Sequence, residues 1–280
     1  MKLEIPVSYQ GGKQRLAPKI IDIIMEETNI RNMSALYDMC CGTGAVSLEF
    51  LSRQRTLPVR MVDSSVWGYF WEAISNGWFS LDEFSKIADR IPPKGLIKNY
   101  LETLSKKDVD LDYLYNYLLL QAGSFGGKAI WIEGNEWKNA SFRNYWKPTS
   151  TSKRRSPVNP MMPMPKTIAE RLVEIVKLQG IIVGGTEDVS DFISFLPNSI
   201  IYIDPPYKNS TGYGSELDID SWLKRVKDEN IGSGSLLFVS EGYEFKNADK
   251  TFLLSEKRKK GNISGYGMGG VQEWLSVFKF

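Results

Sequence analysis

Residues 34–51, SALYDMCCGTGAVSLEFL, commit the chain to a layered architecture of strands and helices. Leu36 to Cys41 are apolar with one acid, Asp38, which is the pattern of a strand covered on both faces. Gly42-Thr43-Gly44 supplies a turn, and Ala45, Val46, Leu48 and Leu51 then recur at mostly helical spacing. A second apolar run, VRMVDSS, ends in another acid, Asp63. Strand, glycine turn, helix and strand make a βαβ opening.

The alternation resumes later in the chain. A helix is expected from about Lys166 to Leu178, followed by GIIVGGTEDV, a short helix near Ser190 to Leu196, and a strand ending at Asp204. A polar loop, a helix near Asp218 to Glu229, the strand SLLFVS and a closing hairpin of KTFLLSE and QEWLSVFKF complete it. Such alternation implies an α/β fold, a mainly parallel sheet with helices on both faces. Residues 66–165 interrupt it as an insert, helical at first (LDYLYNYLLLQ) and then rich in Gly, Pro, aromatic and basic residues without a clear period.

Charge matters chiefly in that insert. The whole chain of 280 residues carries a net charge of only +2. Between 123 and 166, however, Lys128, Lys138, Arg143, Lys147, Lys153, Arg154, Arg155 and Lys166 face only Glu133 and Glu136. Basic residues interleaved with Trp131, Trp137 and Trp146 suit contacts to phosphates and bases, while the same tryptophans also suit the core of a small subdomain. EKRKKGN, 256–262, reads either as a solvated turn or as a second phosphate contact. The chain has no histidine, which removes Ser-His and Cys-His nucleophile pairs and the usual zinc ligands. Its two cysteines, Cys40 and Cys41, are adjacent and suggest neither a disulfide framework nor a metal site, so a reducing cytoplasm is the expected setting. No signal peptide or membrane span is expected, because no run approaches roughly 18 apolar residues.

Three motifs carry chemistry. Gly42, Gly44 and the small Ser47 form a G-x-G-x-x-small turn between strand and helix, where a ligand can approach the backbone and a helix amino end favours negative charge. By itself the turn fits equally a strand-to-helix connection without a ligand. Asp63, about 20 residues further on, stands where Rossmann-like sheets place the acid that binds ribose hydroxyls. SYQGGKQRLAPKI, 8–20, sets two glycines between an aromatic and a lysine ahead of an amphipathic helix. Finally, NSIIYIDPPYKNS, 198–210, ends a buried strand in an acid, two prolines and a tyrosine. Asp204 and the carbonyl of Pro205 accept hydrogen bonds, Pro206 stiffens the loop, and Tyr207 offers a stacking face. Together they suit a flat ring held by its face with an amino group on its edge.

SYQGGKQRLAPKI, YDMCCGTGAVSL, MVD, GTEDV and IYIDPPY stand in an order that resembles the DNA adenine methyltransferases of the Dam-like type found in bacteria and their phages. The resemblance covers roughly 1–65 and 165–280. It implies a Rossmann-like S-adenosylmethionine-dependent methyltransferase fold: a mainly parallel seven-stranded sheet with a closing hairpin, formed by 1–65 and 166–280, plus an inserted, mostly helical target-recognition subdomain, 66–165. It further implies S-adenosylmethionine as methyl donor, S-adenosylhomocysteine as product, and no metal. Tyr9, Gly12, Lys13, Asp38, Gly42, Gly44, Asp63 and Asp188 then fall on cofactor-binding positions, and Asp204, Pro205, Pro206 and Tyr207 on the catalytic loop. Arg143, Lys147, Lys153, Arg154 and Arg155 are expected to hold double-stranded DNA. The expected reaction methylates the 6-amino group of a flipped adenine in a bacterial or phage-infected cell. Met39 and Cys40 depart from the family, which usually has proline and an aromatic there. Rival readings are the same transfer to the 4-amino group of cytosine or to adenine in RNA, a nicotinamide-dependent oxidoreductase on the same glycine turn, and a DNA-binding protein without activity.

Overall fold

The computed structural model describes residues 2–9, 11–205, 217–256 and 272–280. In chain order these form α1 (Ala17–Glu27), β1 (Ala35–Met39), α2 (Ala45–Arg53), β2 (Val59–Val62), α3 (Val66–Ser75), α4 (Leu81–Ala88), α5 (Ile97–Leu104) and α6 (Tyr113–Gly123). They continue with β3 (Trp131–Glu133), β4 (Glu136–Lys138), α7 (Pro165–Val176), β5 (Ile182–Gly185), β6 (Ser199–Ile203), α8 (Ile219–Asn230), β7 (Leu236–Glu241), β8 (Lys250–Glu256) and β9 (Gln272–Lys279). Among the described residues no helix is long and apolar enough to cross a membrane.

Seven strands form one sheet in the order β5-β2-β1-β6-β7-β9-β8, with β3 and β4 a separate small hairpin. β5, β2, β1, β6 and β7 run parallel, while β9 is antiparallel to both β7 and β8. The mainly parallel seven-stranded sheet with its antiparallel closing pair is therefore as the sequence implies. Alternation along each central strand divides the core between the two faces. Ala35, Tyr37, Met39, Ile201, Ile203, Leu237 and Val239 meet Trp222, Leu223 and Val226 of α8. Leu36, Ile200, Tyr202 and Phe238 belong instead to the larger cluster with α1, α2 and α3. β1 and β6 are buried at every position, which explains why they read as continuous apolar runs.

α3 lies unusually close to the sheet, and two glycines allow it. A Cβ on Gly68 would sit 2.0 Å from the Asp63 carbonyl oxygen, and one on Gly184 would sit 2.1 Å from the Trp71 carbonyl carbon. α3, which opens the interrupting stretch, thus covers β2 and β5, and the apolar core continues from it into α4, α5, α6 and α7. Beyond α6, buried Gln121 ties down the irregular segment: its amide donates to the carbonyls of Gly127 and Lys128 (3.3 and 3.0 Å) and accepts from Ile130 N–H (3.1 Å).

The short helix expected near Ser190 to Leu196 does not form. Only a single 3-10 turn, Val189–Asp191, is present. The donors that a helix would need are taken elsewhere: Phe195 N–H by the Asn230 side chain (3.3 Å) and Leu196 N–H by the Tyr37 hydroxyl (3.4 Å), with Pro197 next. Phe192 and Phe195 pack on Tyr37, so tertiary contacts outweigh the local helical pattern.

Candidate active site at the carboxyl ends of the parallel strands

The chain leaves β1 toward β2 and β5 on one side and adds β6 and β7 on the other, so the sheet reverses its order between β1 and β6. A crevice opens at such a switch point, outside the carboxyl ends of the strands. The glycine turn after β1, Asp63 after β2, Asp188 after β5 and Asp204 after β6 all lie at that end. Their convergence shows in one group. The Cys40 thiol is pushed up by burial and then by the negative charges of Asp63, Asp204, Asp38 and Asp188.

The turn itself is built from positive-φ positions: Cys40 (φ 63), Gly42 (φ 49) and Gly44 (φ 73). Gly44 must be glycine for packing as well, because a Cβ there would meet Met61 Cε and Trp71 Cζ2, each at 2.5 Å. Gly42 faces the other way: among the described residues nothing lies within 4 Å of a Cβ there, so its backbone is open to an approaching ligand. Trp71 Nε1 donates to the Gly42 carbonyl at 2.8 Å and braces the turn from behind. Asp63 braces it from the side: Oδ2 accepts from Gly42 N–H at 2.7 Å and Oδ1 from Ser65 N–H at 2.9 Å.

Asp38 does not reach the crevice. It is 1% exposed, and its Oδ2 accepts from Ser47 N–H (3.2 Å) and Ser47 Oγ–H (2.6 Å), pinning α2 beneath the turn. Burial raises its carboxyl to about 7, with the Ser47 bonds opposing and the charges of Asp204 and Asp63 adding to the rise. From this place Asp38 supports the turn from below. Asp188 is exposed, and its Oδ1 accepts from Ser190 N–H at 2.9 Å.

The N-terminal loop closes one wall. Gly12 N–H donates to the Tyr9 carbonyl (3.1 Å), and a Cβ on Gly12 would lie 3.9 Å from Thr43 Oγ1, so the loop rests on the glycine turn. Tyr9 packs edge-on against Trp67 at 6.3 Å. Lys13, only 7% exposed, places its Nζ 2.7 Å from Asp204 Oδ1 and 3.4 Å from Glu273 Oε2. Asp204 N–H bonds the Met39 carbonyl (3.4 Å), which ties the DPPY acid directly to the end of β1. Burial raises the Asp204 carboxyl and the Lys13 ammonium opposes it. Pro205 is buried behind it, while Pro206, Tyr207 and the 257–262 part of EKRKKGN lie outside the described residues.

Two acids escaped the sequence reading. Glu241 ends β7 and is 3% exposed; burial pushes its carboxyl up to about 7 although Gly242 N–H donates to it at 2.8 Å. Glu273 begins β9 and is equally buried. For Glu241 a signal existed, since it ends an apolar run in an acid as Asp63 and Asp204 do. Glu273 had none of its own.

The basic positions of the insert divide. Lys147, Lys153, Arg154 and Arg155 are exposed. Arg143 is half-buried, and its guanidinium spans Ser124 O (3.0 Å) and Met162 Sδ (3.3 Å). It joins the end of α6 to the 162 region and is engaged inside the protein.

Strand order, antiparallel β9 and a glycine turn flanked by strand-terminal acids define a Rossmann-like α/β protein with the sheet of the S-adenosylmethionine-dependent methyltransferases. No protein family and no curated protein matches the chain. Solved structures that match include two of the rRNA methyltransferase AviRa from Streptomyces viridochromogenes, at 13% identity over 95% of this chain and 84% of that one, with TM-scores of 0.43 and 0.42. SMU.472 complexed with SAH matches at 14% identity over 99% of this chain and 54% of its own, with a TM-score of 0.38.

Proposed function

We propose that the chain is an S-adenosylmethionine-dependent methyltransferase acting on the 6-amino group of adenine in double-stranded DNA. The observation that carries this reading is the seat of Asp204, the head of DPPY, at the switch point beside the glycine turn of β1. A nucleoside cofactor is assigned to the front of Gly42, where no described residue lies within 4 Å of a Cβ, with Asp63 and Asp188 as acceptors for its hydroxyl and amino groups and Tyr9 and Gly12 along the loop side. Bound there, S-adenosylmethionine supplies an electrophilic methyl group on a sulfonium sulfur.

The chain's own groups prepare the nucleophile. An exocyclic amine on a nucleobase is unreactive because its lone pair is delocalised into the ring. Asp204 and the Pro205 carbonyl accept from its two hydrogens, which favours a pyramidal nitrogen with a directed lone pair. Asp204 is suited to accept because Lys13 holds its Oδ1 in an ion pair. That atom is buried, so the 18% exposure of the side chain belongs to its other atoms. Tyr207 is assigned the stacking face by its place in DPPY, and the base is flipped to reach it. Exposed Lys147, Lys153, Arg154 and Arg155 are assigned to phosphates of the duplex.

The test is incubation with isotope-labelled donor and mixed-sequence DNA, with RNA in parallel, followed by digestion and identification of the labelled nucleoside. N6-methyladenine from DNA is the expected product, and Asp204→Ala should abolish it while donor affinity stays within a few-fold. Label in cytosine or in RNA would move the reading to the corresponding rival. Near-full turnover by Asp204→Ala would remove that residue from the chemistry.

A further inference from the structure

Lys13, Asp204, Glu241 and Glu273 come from four separate segments: the N-terminal loop, the ends of β6 and β7, and the start of β9. The Lys13 ammonium pairs with the carboxylates of Asp204 and Glu273 and acts on Glu241 through its charge, where Lys13, Glu241 and Glu273 are 7%, 3% and 3% exposed. The Ser240 hydroxyl lies beside Asp204. Where carboxylates crowd in this way, the position of the ammonium bears on which of them can serve as an acceptor. A lysine stem is flexible, and a second anchor besides Asp204 restricts where its ammonium can sit. Glu273 supplies such an anchor, its Oε2 lying 3.4 Å from Nζ against 2.7 Å for Asp204 Oδ1.

We propose that Glu273 is a positioning residue for this site: it tethers the Lys13 ammonium so that Lys13 fixes one oxygen of Asp204 and leaves the second to the target amine. The inference rests on the functional reading above. Nothing in the DPPY loop or the glycine turn points to Glu273. It is brought in by the antiparallel β9, which pairs with β7 through Glu241 and Trp274.

The experiment compares wild type with Glu273→Gln and Glu273→Asp by steady-state methyl transfer across pH. For Glu273→Gln the plateau kcat should fall ten-fold or more with KM for the donor within two-fold. Its acid limb should move to lower pH, because one negative charge that opposes ionisation of Asp204 is gone. Glu273→Asp, which keeps the charge, should recover part of the plateau and carries the test if circular dichroism shows the Gln variant unfolded. A wild-type plateau and acid limb in the folded variants would overturn the proposal. A second arm needs neither donor nor nucleic acid: the 15N ammonium resonance of Lys13, assigned by its loss in Lys13→Arg, should shift in the Glu273 variants, and an unchanged resonance would overturn the tether. If wild type transfers no methyl group at all, the functional reading fails, and this resonance alone decides whether Glu273 holds Lys13.

Discussion

Gly42 and Gly44 stand two residues apart in one turn and differ in what they protect. Both have positive φ, so alanine at either costs about 1 to 2 kcal/mol of backbone strain. At Gly44 the added methyl also overlaps Met61 and Trp71, adding about 1 to 3 kcal/mol of overpacking. Gly44→Ala is therefore expected to lower unfolding stability by about 2 to 5 kcal/mol. Gly42→Ala should stay folded with the smaller loss and should lose donor binding, since its methyl enters open space at the mouth of the crevice. Urea unfolding and calorimetric titration with the donor separate the two. Equal stability losses would refute the overlap at Gly44, and full donor affinity in Gly42→Ala would show that the turn does not face the ligand. Asp63 combines both tasks at one side chain. Because its carboxylate already bonds Gly42 and Ser65, Asp63→Ala should cost about 1 to 3 kcal/mol of stability without ligand, and donor affinity by a similar amount. An unchanged dissociation constant would mean that the ribose is held elsewhere.

At the scale of elements, the placement of α3 governs the site because the helix carries Trp71, the brace behind Gly42, and begins just after Asp63. Its approach to β5 depends on Gly184, whose absent Cβ would otherwise lie 2.1 to 2.3 Å from three backbone atoms of Trp71 and Glu72. Backbone cannot swing aside as a side chain can. Gly184→Ala should thus either prevent folding or cost more than about 3 kcal/mol, above the usual range for overpacking. Thermal unfolding measures it, and a loss below about 1 kcal/mol would mean that α3 slides freely on the sheet. By contrast Gly95, where no described residue lies within 4 Å of a Cβ, serves as the matched control.

For the whole molecule, two features reach beyond any one element. Asp38 and Glu241 have folded-state carboxyls near 7 against ordinary values of 3.8 and 4.5. A raised carboxyl means the folded state holds its proton where the unfolded chain has lost it, so stability is fully present below about pH 4 and falls as pH rises toward 7. Each group contributes at most about 1.4 kcal/mol per pH unit in that window. Unfolding measured from pH 5 to 7.5 should therefore show a shallower decline for Glu241→Gln than for wild type, and parallel curves would refute the buried acid. The second feature is the exposed basic stretch. If Lys153, Arg154 and Arg155 each neutralise one phosphate, alanine at all three should lower the slope of log affinity against log salt by roughly 2 to 3, on matched and scrambled duplexes alike. An unchanged slope would make the stretch a solvated loop.

The chain's sequence by itself determined the alternating α/β order, the parallel sheet with its closing pair, and the glycine turn with acids ending their strands. These are local patterns: a buried strand must read apolar, and a turn at positive φ needs glycine. The tertiary structure alone decided that Asp38 bonds Ser47 beneath the turn, that Arg143 is engaged by Ser124 and Met162, that Phe192 and Phe195 pack on Tyr37 instead of forming a helix, and that Glu273 meets Lys13. Each depends on which strands become neighbours and which face of the sheet is covered. That is settled by burying apolar surface from distant segments together, and no period within a single segment records it.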